Sequence, residues 1–192
     1  MTFGSESTTD DVLEGVDLSG QRVLITGAAS GLGQETARAL TSHGAHVVLA
    51  VRDIAKAEEP VEPVRKAAAG AGAIVEVRQV DLGSFDSIRA FTDGVLGDHD
   101  RLDAIVANAG VMACPEGRTA DGFETQFGTN HLGHFLLVNR LRPLFGDRPA
   151  RIVSVASAGH RLSDVELDDV NFETTPYDVW EAYGRSKTAN IL

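Results

Sequence analysis

Arg22-Val-Leu-Ile-Thr26-Gly27-Ala28-Ala29-Ser30-Gly31-Leu32-Gly33 is the stretch that decides the fold. Its first five residues are mainly apolar or β-branched, as a buried strand requires. Glycines follow at 27, 31 and 33, and over 32–43 the apolar residues, Ala37 and Leu40 among them, share one helical face. A strand that ends on a glycine-rich turn and passes into a helix aims free backbone N–H groups at one point. The helix dipole adds positive potential there, so the point attracts an anion. The spacing is Gly-x-x-x-Gly-x-Gly, not the commoner Gly-x-Gly-x-x-Gly, and a glycine cluster alone is weak evidence. Between a strand and a helix it reads as a pyrophosphate cradle. The expected cofactor contacts are Gly27, Ala29, Ser30, Gly31, Leu32 and Gly33.

Outward from this turn, short apolar runs alternate with longer amphipathic ones. Strands are predicted over 46–51, 74–79, 104–107 and 151–155, and helices over 54–69, 84–96 (with Ser84 as the cap) and 123–141. Pro60 and Pro63 are expected to break or delay the 54–69 helix. Nearly continuous apolar strands separated by helices imply an α/β fold, a Rossmann-type doubly wound parallel sheet covered on both faces. Residues 1–15, rich in Ser, Thr, Asp and Glu, are expected to be a flexible acidic tail, and 16–192 the NAD(P)-binding domain. The stretch 158–182 is long and irregular. The helix begun at 183 stops in mid-run, so the domain is expected to be incomplete at its C-terminus, lacking the last strands and helices.

Composition narrows the function classes. The 192 residues are 43% hydrophobic and 23% charged, enough for one domain with a sizeable core. Lysine and arginine number 17 against 28 acids, and this net charge of -11 with no basic stripe argues against nucleic acid. One cysteine, Cys114, excludes an internal disulfide framework. No apolar run approaches the roughly 18 residues of a membrane span, and a cytoplasmic protein is expected. His131 and His134 lie three apart with no third ligand spaced to complete a zinc site, so no metal is expected.

At the end of the second strand an acid would hold the 2′-hydroxyl of an adenosine ribose. The sequence there is Val51-Arg52-Asp53. Arg52 has the forked donors that suit a 2′-phosphate, which favours NADP, while Asp53 leaves NAD as the second choice. Asp81 and Leu82 follow the third strand, where such a pair can meet the adenine ring. Asn108, Ala109 and Gly110 follow the fourth, where small residues permit close approach and Asn108 can bridge strand backbones.

Tyr183 and Lys187 stand four apart, on one helical face. A phenol has an ordinary pKa of about 10; an adjacent ammonium and an oxidised nicotinamide would lower it. Such a tyrosine can exchange a proton with an alcohol oxygen, and Tyr183 and Lys187 also count among the cofactor contacts. Ser157, just past the fifth strand, can hold a carbonyl oxygen by hydrogen bond. Ser154 competes for that role but reads as a packed position. Asn130, an amide amid apolar residues of the long helix, needs partners there. It can hold a water that reaches Lys187.

In this order, Thr26-Gly27 through Gly33, Asn108-Ala109-Gly110, Asn130, Ser157, and Tyr183 with Lys187 resemble the short-chain dehydrogenase/reductase family over about 18–192. The resemblance implies a catalytic tetrad of Asn130, Ser157, Tyr183 and Lys187. It also implies NAD(P)-dependent interconversion of an alcohol and a carbonyl on a small molecule. Val51-Arg52-Asp53, Ala158-Gly-His-Arg161 and Ala182-Tyr-Gly-Arg-Ser-Lys-Thr-Ala-Asn-Ile-Leu192 are similar to the retinol dehydrogenase and WW-domain oxidoreductase branch, which tends to use NADP and bulky apolar substrates. Ala156 stands where the family usually has the first of two serines. The family's remaining strands and helices would close the substrate site and complete the helix face used in homo-oligomers. The competing reading is an NADP-binding module, or an inactive fragment, without turnover.

Overall fold

The structure is a computed structural model that describes residues 3–146 and 149–192. Strands β1 (Arg22–Thr26), β2 (His46–Val51), β3 (Val75–Gln79), β4 (Ala104–Ala107) and β5 (Arg151–Ser154) form one parallel sheet in the order β3-β2-β1-β4-β5. The helices are α1 (Thr9–Leu13), α2 (Gly31–Ser42), α3 (Ile54–Ala71), α4 (Phe85–Asp98), α5 (Thr125–Phe127), α6 (Gly133–Leu141) and α7 (Val179–Ala189). The doubly wound fold read from the apolar runs is the fold observed. Among the described residues, no helix is long and apolar enough to cross a membrane.

The strand period of two divides the core into two layers. From β1, Leu24 packs with Val48, Ile105, Ile88 and Phe91 of α4, and Leu137 and Leu141 of α6. Val23 and Ile25 point the other way, to Val47, Leu49, Ala37 of α2, and Ala57, Val61 and Val64 of α3. Leu24 and Ile25 are both fully buried, each stabilising the fold by about 1.5–3 kcal/mol relative to exposure. Consecutive residues of β1 thus anchor opposite helix layers. Since the winding reverses between β1 and β4, a crevice opens at the carboxyl ends of these two strands.

Four expectations are corrected. Helix α3 runs unbroken from Ile54 to Ala71 with Pro60 and Pro63 inside it. The carbonyls these prolines leave without a helical donor belong to Lys56 and Glu59, both exposed, so water can serve them. The buried stripe Ala57, Val61, Val64 and Ala68 holds the helix to the sheet.

The long 123–141 helix contains a π-helical turn, Gly128–Leu132, between α5 and α6. Within the expected tail, Thr9–Leu13 is helical. Thr8 and Asp11 form a reciprocal capping box, and Arg38 of α2 pairs with Asp10 at 2.8 Å; Met1 and Thr2 lie outside the described residues. Finally, Ser154 is not packed, because β5 is exposed along its whole length.

Candidate active site

The turn after β1 is shaped by what cannot fit in it. Gly27 adopts a φ of 67°, the left-handed region where a side chain is strained. A methyl there would also lie 2.8 Å from Ala109 Cα. A methyl on Gly33 would lie 2.5 Å from both the Gly27 oxygen and Asn108 Nδ2. The two loops are therefore in direct backbone contact. Asn108 Nδ2 donates to the Thr26 carbonyl at 2.9 Å, bridging β1 and β4 as expected. Ser30 caps α2 in extended conformation without spending its hydroxyl on the helix. That leaves a hydroxyl beside free N–H groups at a helix N-terminus, which suits a phosphate.

A cleft of about 750 Å³ opens above this turn. Every cofactor contact expected from strands one to four lines it: Gly27, Ala29, Ser30, Gly31, Leu32 and Gly110 among them, with Gly33 beneath the turn as the exception. Arg52, Asp53 and Lys56 also line the cleft. Asp53 caps α3 by accepting the Lys56 N–H at 3.1 Å, and pairs with Lys56 Nζ at 3.3 Å. These contacts, the backbone hydrogen bond foremost, hold its carboxyl below the ordinary range. Asp81, Leu82, Asn108 and Ala109 line the cleft as well, and Asp81 Oδ1 accepts the Gly83 N–H at 2.8 Å. A cradle that excludes a Cβ, an unspent hydroxyl and cations in the same cleft together fit a dinucleotide phosphate.

Asn130, Ser157, Tyr183 and Lys187 do not line this cleft, although Gly110 and Val111 beside them do. They gather just beyond. A methyl on Gly110 would lie 3.1 Å from Asn130 Oδ1 and 3.7 Å from Lys187 Nζ. A methyl on Gly159 would lie 2.6 Å from Tyr183 Cε1 and 3.3 Å from Ser157 Oγ. Lys187 Nζ sits 5.8 Å from the Tyr183 ring centre. The structure thus brings the serine, tyrosine and lysine to one place, with Asn130 on the lysine side.

The backbone sets each of them. Asp178 caps α7 by accepting the N–H groups of Trp180 and Glu181, so the helix begins well before Tyr183. Lys187 is buried and donates to the Val155 carbonyl at 2.9 Å; burial pushes its ammonium pKa down. Asn130, fully buried in the π-helical turn, donates to the Val111 carbonyl at 2.9 Å and accepts the Val111 N–H at 2.8 Å. It also donates to Ser186 Oγ at 3.0 Å, so its amide has the partners that burial demands. Ser157 Oγ accepts the Gly159 N–H at 3.0 Å, which turns the chain sharply after β5.

Other side chains near the site take plainer roles. Tyr177 donates to the Cys114 carbonyl at 3.0 Å and receives Gln126 Nε2 at 3.1 Å, and burial pushes its pKa up to about 12. It is a loop anchor. Trp180 is exposed. His131 packs between Phe127 and Phe135, whereas His134 lies 2.8 Å from Thr26 Oγ1. Sequence reasoning gave no role of their own to Thr26 and Lys56, and weighed His134 only as half of a metal pair. The signal that finds His134 is its spacing of four from Asn130, on one helical face.

The sequence profile of short chain dehydrogenases matches residues 21–165. Human retinol dehydrogenase 14 is 44% identical over 188 residues, covering 91% of this chain and 55% of its own length. The short-chain dehydrogenase/reductase prx1 of Penicillium rubens is 43% identical over 173 residues, covering 88% of this chain and 49% of its own length. The chain therefore spans about half the length of the curated relatives it matches. Among solved structures, an uncharacterized protein from Mycobacterium paratuberculosis superposes with a TM-score of 0.78 at 43% identity, over 91% of this chain and 60% of that one. The Pseudomonas aeruginosa RhlG/NADP active-site complex gives 0.68 at 25% identity, over 90% and 64%.

Proposed function

This chain belongs to the short-chain dehydrogenase family, and from that premise we propose that it serves NADP-dependent interconversion of an alcohol and a carbonyl on a small apolar molecule. NADP, when bound, supplies or takes up the hydride. In this reading Tyr183 exchanges the proton with the substrate oxygen, Ser157 holds that oxygen, and Lys187 supports the phenolate charge. Asn130 anchors the π-helical turn against Val111 and Ser186. The observation that carries the proposal is the meeting of Ser157 and Tyr183 around Gly159, with Lys187 beside the ring. Relatives named retinol dehydrogenases support an apolar alcohol as substrate. A cytoplasmic setting and a homo-oligomer belong to the same reading; fractionation and light scattering check them.

The test is NADPH oxidation by the purified protein with a panel of apolar aldehydes and ketones. Tyr183→Phe should lower turnover about 10²-fold or more, the size of a general-acid contribution, with NADPH still bound. Tight NADPH binding without turnover across the panel would hand the case to a non-catalytic NADP-binding module.

A further inference from the structure

One buried imidazole lies outside the reaction just described. His134 of α6 is 6% exposed, with Nε2 2.8 Å from Thr26 Oγ1 and Nδ1 2.9 Å from the Asn130 carbonyl oxygen. The Thr26 hydroxyl already accepts the backbone N–H groups of Asn108 and Ala109, each at 3.0 Å. A hydroxyl has two lone pairs and one proton. With both lone pairs engaged, its proton points to Nε2; the Val106 carbonyl, at 3.5 Å, is the poorer acceptor. Nε2 must then accept, and the single ring proton resides on Nδ1, where it donates to the Asn130 carbonyl. A charged imidazolium would face a hydroxyl with no lone pair left for it.

The ring joins two parts of the crevice. Thr26, Asn108 and Ala109 lie at the carboxyl ends of β1 and β4, under the cofactor cleft. Asn130 belongs to the π-helical turn, where the Gly133 N–H reaches back to the Gly128 carbonyl. Such turns are uncommon in helices and persist only where other contacts favour them. Two side chains reach the Asn130 carbonyl, His134 and, at 3.3 Å, Asn190 of the α7 end. The amide of Asn130 carries the connection on to Val111 and Ser186.

We propose that His134 is a positioning residue: by tying Thr26 to the Asn130 carbonyl it holds the π-helical turn in register, and with it Asn130 and α7, against the cofactor edge. The consequence for turnover rests on the proposed reaction; the ring's tautomer and the turn's rigidity do not.

The experiment compares wild type with His134→Phe, which keeps a ring but neither hydrogen bond, and His134→Asn, which keeps a donor near the Nδ1 position. Nitrogen-15 spectra of the wild type should show His134 protonated on Nδ1. Amides of residues 128–133 should exchange about tenfold faster in His134→Phe, as expected when a turn's local opening becomes easier, and less so in His134→Asn. NADPH affinity should stay within about threefold while kcat falls about tenfold or more, KM being little changed, because small misplacements act on the reacting geometry. His134→Asn should recover part of that loss. A ring protonated on Nε2, or wild-type exchange in His134→Phe, overturns the proposal. So does an equal loss of NADPH affinity and kcat. If the wild type shows no turnover, the reaction fails while tautomer and exchange still decide the role of His134. Should His134→Phe not fold, His134→Asn carries the same measurements.

Discussion

Around Gly27 and Gly33 the crevice is shaped by backbone against backbone, whereas around Tyr183 and Lys187 it is shaped by buried polar side chains. The first region sits on the centre of the sheet, where β1 is sealed by helices on both faces. The second hangs from β5, an edge strand with Ile152 51% and Val153 47% exposed. It is held by polar anchors: Lys187 to Val155, Asn130 to Val111, and buried Arg185 to the Asp169 carbonyl at 2.6 Å with its guanidinium 3.9 Å from the Phe172 ring centre. A binding surface for a common cofactor can be cast once in rigid backbone. A reacting site needs directed donors and acceptors, which side chains supply at the cost of burying polar groups.

The comparison is broken most directly by adding one methyl to each region. Gly33→Ala should lower dinucleotide affinity about 10²-fold and stability by about 3 kcal/mol, the upper range for overpacking. The atoms it meets include the backbone oxygen of Gly27, which cannot yield without moving β1 from α2. Gly159→Ala meets the edge of the Tyr183 ring, a side chain that can tilt. Here turnover should fall at least tenfold, as displaced reacting groups do, with affinity nearly unchanged. Calorimetric titration and steady-state rates on both variants make the check. Equal loss of affinity in the two would mean that the regions do not differ as described.

The residue that joins the regions gives a pH signature. Burial pushes the His134 pKa from 6.5 down to about 4. The folded pKa lies below the unfolded one, so between these values the unfolded chain takes up the proton first. Stability is therefore undiminished above pH 6.5, falls as the pH drops towards 4, and has lost about 3 kcal/mol at the end. Burial lowers His131 in the same direction, so the measurement is the difference between wild type and His134→Asn in denaturant unfolding from pH 7 to pH 4. Parallel curves would remove His134 as the buried titrating group.

The same contrast governs what the sequence makes legible. Strands covered on both faces are written as apolar runs, so 46–51 and 104–107 coincide with β2 and β4. The cradle was legible because steric exclusion selects glycine, and Tyr183 with Lys187 because helical spacing is local. The hydrogen bond from Thr26 to His134 spans 108 residues, and no local pattern encodes it. The π-helical turn has no composition of its own; it depends on where Asn130 finds partners. Pro60 and Pro63 misled for the converse reason: the propensity penalty is local, but the packing of Val61 and Val64 that outweighs it is tertiary.

The smallest expected effect concerns the rim of the cleft, where neither backbone sterics nor burial operates. Arg52 is exposed there, and Asp53 is committed to Lys56 as a helix cap. A capping carboxylate leaves its position only by giving up about 1 kcal/mol of helix stability, so it serves poorly as a clamp for a ribose diol. Arg52→Ala should thus weaken NADPH about tenfold, the scale of one charge-assisted contact, and NADH hardly at all. Being exposed, the contact should shrink further as salt rises. Asp53→Ala should do the reverse, lowering the melting temperature while NADPH affinity holds. Fluorescence titrations with both cofactors at two salt concentrations separate the outcomes. Equal weakening of NADPH and NADH by Arg52→Ala would show that the rim reads no 2′-phosphate, and that cofactor choice lies deeper, in the region built of backbone.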